Sequence, residues 1–82
     1  MYGINIQREA LKALDSVPKE FRDPIRHRIN QLAQEPRPSG VKKLHGGWYR
    51  VRQGPYRILY EIDDNNLLVN ITAVKHRRDA YR

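Results

Sequence analysis

The sequence predicts an α+β domain in the order β-α-α-β-β-β, an antiparallel sheet with two helices packed on one face. Three observations carry this: a change from period-2 to helical spacing at Arg8, a Pro- and Gly-containing break over Glu35 to Gly40, and three strand-like runs beyond it divided by turn signals.

Tyr2, Ile4 and Ile6 alternate with Gly3 and Asn5, which reads as a short strand with one apolar face. Ala10, Leu11, Leu14 and Val17 then recur at helical spacing, and Phe21, Ile25, Ile29 and Leu32 do so again after Pro18. Pro24 falls inside the second pattern at a cost of about 3 kcal/mol to a helix interior. Either that helix bends there, or it begins there with Asp23 as N-cap and runs to Gln34. Trp48 to Arg52, Tyr56 to Ile62 and Leu67 to Val74 are the later strands, separated by Gly54-Pro55 and by Asp63-Asp64-Asn65-Asn66. Residues 1–82 are read as one domain, because a chain this short buries only about 60% of its unfolded surface and supports a single core.

Charge narrows the class of partner. Sixteen Lys and Arg stand against 9 Asp and Glu, a formal charge of +7 with a pI near 10.1, which points to a polyanion such as nucleic acid. With no cysteine, disulfides, thiolate metal sites and cysteine nucleophiles are excluded and a reducing cytoplasm is the expected compartment. No apolar run approaches the roughly 20 residues that span a bilayer, and no signal-peptide stretch opens the chain, so no membrane partner is expected. His45 and His76 lack the spacing and acidic company of a metal site, so no metal or other cofactor is expected. Gly46-Gly47 reads as a plain turn rather than part of a phosphate loop.

Treating both turns as tight hairpins pairs Arg52 with Arg57, Val51 with Ile58, Tyr60 with Val69 and Arg57 with Thr72. Tyr49, Val51, Tyr56, Ile58, Tyr60, Ile62, Leu67, Val69 and Ile71 then face the helices. Trp48, Arg50, Arg52, Arg57, Leu59, Glu61, Asn70 and Thr72 face away. Two arginines directly opposite each other destabilise a sheet by some tenths of a kcal/mol, so their convergence suits an anion site better than a passive solvated face. Lys42 and Lys43 before the strands, and Lys75 to Arg82 after them, add cations, and the Tyr81 ring adds a surface that can stack on a base.

The combination Gly46-Gly47-Trp48-Tyr49-Arg50-Val51-Arg52, Gly54-Pro55-Tyr56-Arg57-Ile58-Leu59-Tyr60-Glu61-Ile62-Asp63-Asp64 and His76-Arg77-Arg78-Asp79-Ala80-Tyr81-Arg82 closely resembles the RelE branch of the RelE/ParE superfamily. That resemblance implies a compact, microbial-ribonuclease-like fold that enters the ribosomal decoding site, cleaves mRNA there without metal, and is held inactive in a heteromeric complex with an antitoxin. By position it implies a transition-state arginine at Arg57, a second arginine at Arg77 and a terminal tyrosine base at Tyr81. RNA contacts are implied at Arg50 and Arg52, with Lys42, Lys43, Arg78 and Arg82 as further cationic candidates. The family often has Lys where this chain has Arg50 and Arg52, and Gly where it has Lys75.

The acid is left open between two residues. An unbroken last strand turns His76 toward the arginines and Arg77 toward the core, whereas the resemblance implies Arg77 in the site. Imidazole is the better proton donor and guanidinium the better phosphate ligand. Two other functions share the sequence features: a ParE-like toxin that inhibits a topoisomerase by protein contact, and an RNA-binding module without catalysis. The antitoxin is expected to be an acidic amphipathic segment covering the cationic face that Trp48 and Leu59 border.

Overall fold

The computed structural model describes residues 1–78. Strand β1 (Gly3–Ile6) leads into helices α1 (Arg8–Asp15) and α2 (Lys19–Gln31), followed by β2 (Lys42–Lys43), β3 (Trp48–Gln53), β4 (Tyr56–Asp63) and β5 (Leu68–His76). The strands lie in the order β1-β5-β4-β3-β2. All pairings are antiparallel except β1 with β5, which run parallel, so the chain's first and last strands are neighbours. The parallel pair and the two-residue strand β2 refine the antiparallel expectation without changing the α+β class.

Pro24 neither starts nor ends a helix. Helix α2 begins five residues earlier at Lys19, with Pro18 as N-cap, carries Pro24 inside it and ends at Gln31 rather than Gln34. Burial explains why the chain accepts this. Ile25, Ile29 and Leu32 on the same helical stripe are at most 1% exposed, and full burial of three such side chains is worth roughly 5 to 9 kcal/mol against about 3 for the proline.

Both helices cover one face of the sheet. Ala10 and Leu14 from α1, with Ile25, Ile29 and Leu32, pack on Tyr49, Val51, Ile58, Tyr60, Ile62, Val69, Ile71 and Val74. These strand residues are the alternate positions expected of one pleated face, apart from a change of phase late in β5. Tyr60 is fully buried at the centre, and its hydroxyl donates to the Pro36 carbonyl at 2.7 Å. Burial pushes its phenol up to about 12.

Two sequence expectations fail at the β4–β5 turn. The alternation places Leu67 in the core, yet it is 51% exposed with φ 52, and the turn occupies residues 64–67 rather than forming a tight hairpin. A branched side chain at positive φ marks a turn position rather than a pleated one. The longer connection moves the register, so Tyr60 pairs with Ile71 rather than Val69.

A polar clamp closes this end of the molecule. Arg37 donates from Nε to the Tyr49 hydroxyl at 3.0 Å and pairs with Asp64 at 2.9 Å, while the Tyr2 hydroxyl also donates to Asp64. The Arg37 guanidinium first, and then the Tyr2 hydroxyl, hold the Asp64 carboxyl below its ordinary value. A depressed carboxylate contributes stability above its unfolded value, near pH 4, and loses it as pH falls through the folded value. The difference in melting temperature between wild type and Asp64→Asn is therefore expected to be largest near neutrality and to shrink in acid. A difference independent of pH would show that the carboxylate's charge is not what the clamp uses.

Candidate nucleic-acid interface

The face opposite the helices is organised in rows across the strands. Arg52, Arg57 and Lys75 are direct register partners on β3, β4 and β5, forming one straight cationic row. The next row contains Lys42, Arg50, Leu59 and Ala73, and the one after it Trp48, Glu61, Asn70 and Asn5. The β3–β4 pairing is as the sequence predicts, since Gln53 pairs with Tyr56 across a two-residue turn with Gly54 at φ 59. Positive φ at the first central residue is what a glycine-led hairpin turn of this length requires.

The sequence names Lys75 only as one cation of the terminal run and not as a neighbour of Arg57, and a β-bulge explains why. Leu59 pairs with Ala73 but Tyr60 pairs with Ile71, leaving Thr72 as the extra residue, its hydroxyl donating to the Leu59 carbonyl at 3.1 Å. One extra residue reverses the alternation beyond it. Added to the two-residue shift set at the β4–β5 turn, the bulge brings Arg57 opposite Lys75 rather than the predicted Thr72, and Val74 joins the core opposite Ile58.

The same reversal corrects the expectation for His76. It pairs with Tyr56 on the helical side, with the two rings edge-on at 5.2 Å, and its Nδ1 accepts from the Arg78 amide at 3.2 Å. It therefore does not face the arginines. Arg77 is exposed and its amide donates to the Pro55 carbonyl at 2.7 Å, which fixes its backbone beside the β3–β4 turn at the Arg52–Arg57 end of the face. Arg78 is exposed nearby, whereas Tyr81 and Arg82 lie outside the described residues.

Arg57 departs from expectation in another way. It points to the face away from the helices, yet it is only 3% exposed. It occupies β4, the middle strand of five, with a cationic neighbour on either side, so its side chain rises through the centre of the face rather than from its margin. Arg52 and Lys75 on the flanks are exposed and Arg50 is half-buried. Among the described residues the ion pairs are Lys19–Asp23, Arg26–Asp15 and Arg37–Asp64, none involving Arg50, Arg52, Lys42 or Lys75. The arrangement can grip a phosphate from several sides with guanidinium forks and an ammonium.

Lys42 lies beside Arg50 in register, and Lys43 reaches the sheet edge, where it lines a groove with Leu44, His45, Trp48 and Leu59. Among the described residues no group of three or more His, Cys, Asp or Glu could hold a metal ion, and no helix is long and apolar enough to cross a membrane.

Comparison with known proteins adds a family. The model of the "ParE toxin of type II toxin-antitoxin system, parDE" matches residues 4–81. Toxin RelG of Mycobacterium tuberculosis is 34% identical over 67 residues, covering 79% of this chain and 77% of RelG. In structure, the chain is similar to one from the Mycobacterium tuberculosis RelBE2 toxin-antitoxin complex, with a TM-score of 0.82 and 30% identity over 93% of this chain and 98% of that one. It is likewise similar to a chain of the archaeal RelE-RelB complex of Pyrococcus horikoshii OT3, with a TM-score of 0.85 and 31% identity over 93% of this chain and 94% of that one.

Proposed function

The chain belongs to the RelE/ParE superfamily as a toxin of a type II toxin-antitoxin system, with relatives on the RelE branch, and from that membership we propose that it is a ribosome-dependent mRNA endonuclease. The observation that carries the proposal is the row Arg52–Arg57–Lys75 with Arg50 and Lys42 beside it, a cationic surface aimed at a phosphodiester.

The reaction uses the substrate's own 2′-hydroxyl. A base takes its proton, the oxygen attacks the adjacent phosphorus, and the 5′-oxygen leaves with a proton from an acid, giving a 2′,3′-cyclic phosphate and a 5′-hydroxyl. Negative charge gathers on the phosphorane, and preorganised donors facing such charge are often the largest catalytic contribution, about 3 to 4 kcal/mol for one. Arg57 fills that role from the centre of the row. Tyr81 is the base that the family resemblance supports. Of the two acids considered, the bulge favours Arg77 over His76 for the face, with Arg77 binding phosphate. Lys75 is then the better proton donor, since an ammonium releases a proton where a guanidinium does not.

Two assays run side by side test this: cleavage of translated mRNA and supercoiling of DNA by a topoisomerase. Cleavage leaving 5′-hydroxyl ends, with supercoiling untouched, is the expected result. Topoisomerase inhibition without cleavage would instead support a ParE-like toxin, the reading that the matched family's description favours.

The relatives' complexes contain a toxin with its antitoxin, and a separate acidic antitoxin covering the cationic rows is the corresponding proposal for this chain. Its association rate is expected to fall about tenfold or more from low to high salt, because exposed charges steer the encounter. Stopped-flow mixing at several ionic strengths measures this. A partner that protects only the helical face from hydrogen exchange, leaving the Arg50 to Arg57 strands open, would replace occlusion of the site with exclusion from the ribosome.

A further inference from the structure

Trp48 is 37% exposed on the same face as the arginines, although a tryptophan has more to gain from burial than any residue around it. Its position is built rather than incidental. Its carbonyl accepts from the Leu44 amide at 2.8 Å and its amide donates to the His45 carbonyl at 3.4 Å, which holds the indole at the mouth of β3. Gly46 turns beneath it with φ 69, and a Cβ there would stand 3.4 Å from the indole Cδ1. Beside the indole, Leu59, Leu44, His45 and Lys43 complete a largely apolar groove of about 520 Å³, within the range of small-molecule sites.

We propose that this groove is a nucleobase subsite, in which the Trp48 indole stacks on a base of the RNA strand whose phosphates lie on the Arg50 and Arg57 rows. The inference rests on the ribonuclease reading and names the next contact along the substrate. Trp48, Arg50 and Arg52 follow one another on one face of β3 at steps of about 6.8 Å, so a base and its neighbouring phosphates have partners side by side. Glu61 decides what kind of group sits at the Trp48 end. It is Trp48's register partner, it takes part in no ion pair among the described residues, and its carboxylate repels both a phosphate and an acidic peptide. A flat, uncharged base is the occupant that tolerates it.

Trp48 is the chain's single tryptophan, so its fluorescence reports on the groove alone. The full-length toxin is titrated with a short oligoadenylate, with an abasic phosphodiester oligomer of equal length, and with polyglutamate. Oligoadenylate is expected to quench and the other two are not. Because the variants carry no tryptophan, their binding is read from the anisotropy of dye-labelled oligomers: Trp48→Ala is expected to weaken oligoadenylate binding about 5- to 150-fold with the abasic oligomer unaffected, and Trp48→Phe to retain most of the affinity. Equal quenching by the abasic oligomer, quenching by polyglutamate alone, or no quenching would overturn the subsite. If Trp48→Ala does not fold by circular dichroism, the wild-type titrations and Trp48→Phe decide. Binding is read without cleavage, so a chain that quenches with RNA but never cuts mRNA keeps the subsite and loses the ribonuclease reading. A chain whose Trp48→Phe and Trp48→Ala forms bind oligoadenylate like wild type loses the subsite alone.

Discussion

Arg57→Ala is expected to slow single-turnover cleavage of ribosome-bound mRNA about 10²- to 10³-fold, the loss typical of one preorganised donor to developing charge. The substitution also acts on stability. A fully solvent-facing side chain would cost within about 0.5 kcal/mol, but Arg57 is 3% exposed, and truncating a buried side chain of that length costs about 1 to 3 kcal/mol. Relief of like-charge contact with Arg52 and Lys75 offsets only some tenths of this. Cleavage should therefore be measured well below the variant's melting temperature, with Arg57→Lys beside it. Lysine keeps the charge and the stem but not the planar fork, so an intermediate rate is expected. Cleavage by folded Arg57→Ala at the wild-type rate would remove Arg57 from the transition state.

The second large effect is expected at Tyr81, outside the described residues, where the family resemblance carries the assignment. Tyr81→Phe keeps a ring that can stack and deletes only the hydroxyl, and losing a general base costs about 10²- to 10⁴-fold. An ordinary phenol titrates near 10, so about 0.1% is ionised at pH 7, and the wild-type rate should climb as pH rises toward that value. Tyr81→Phe should lose both the rate and much of the climb while co-sedimenting with ribosomes as before. An unchanged pH profile and rate would reject Tyr81 as the base. The role would then not pass to His76, whose ring lies against Tyr56.

What could be read from the residues beforehand depended on how local the determinant was. Gly54-Pro55 is a self-contained turn, so the Arg52–Arg57 and Val51–Ile58 pairings followed from it correctly. The β4–β5 register did not follow, because it depends on Leu67 taking a left-handed conformation that no preference of leucine announces. Thr72 is an ordinary strand residue whose role as a bulge appears only when β4 and β5 are laid together, so unbroken alternation turns His76 to the wrong side and hides the pairing of Lys75 with Arg57. Strand β2 is two lysines with no alternation to detect, and the parallel docking of β1 on β5 joins the ends of the chain. The burial of Arg57 was equally hidden, since period-2 patterning tells which side a residue takes and not how deeply it lies. The family resemblance supplied Arg77 where strand alternation argued against it, and the bulge removes that conflict.

The bulge at Thr72 also makes the site sensitive to one kind of slip. Loss of Thr72 alone would leave Ala73 opposite Leu59 and Lys75 opposite Arg57, whereas drawing Thr72 into the ladder opposite Leu59 would exchange the two sides of everything after it. Val74 would leave the core, Lys75 would leave the arginine row, and His76 would turn to the arginines' side, in one event. One threonine held out of the ladder therefore keeps the toxin's cationic row assembled.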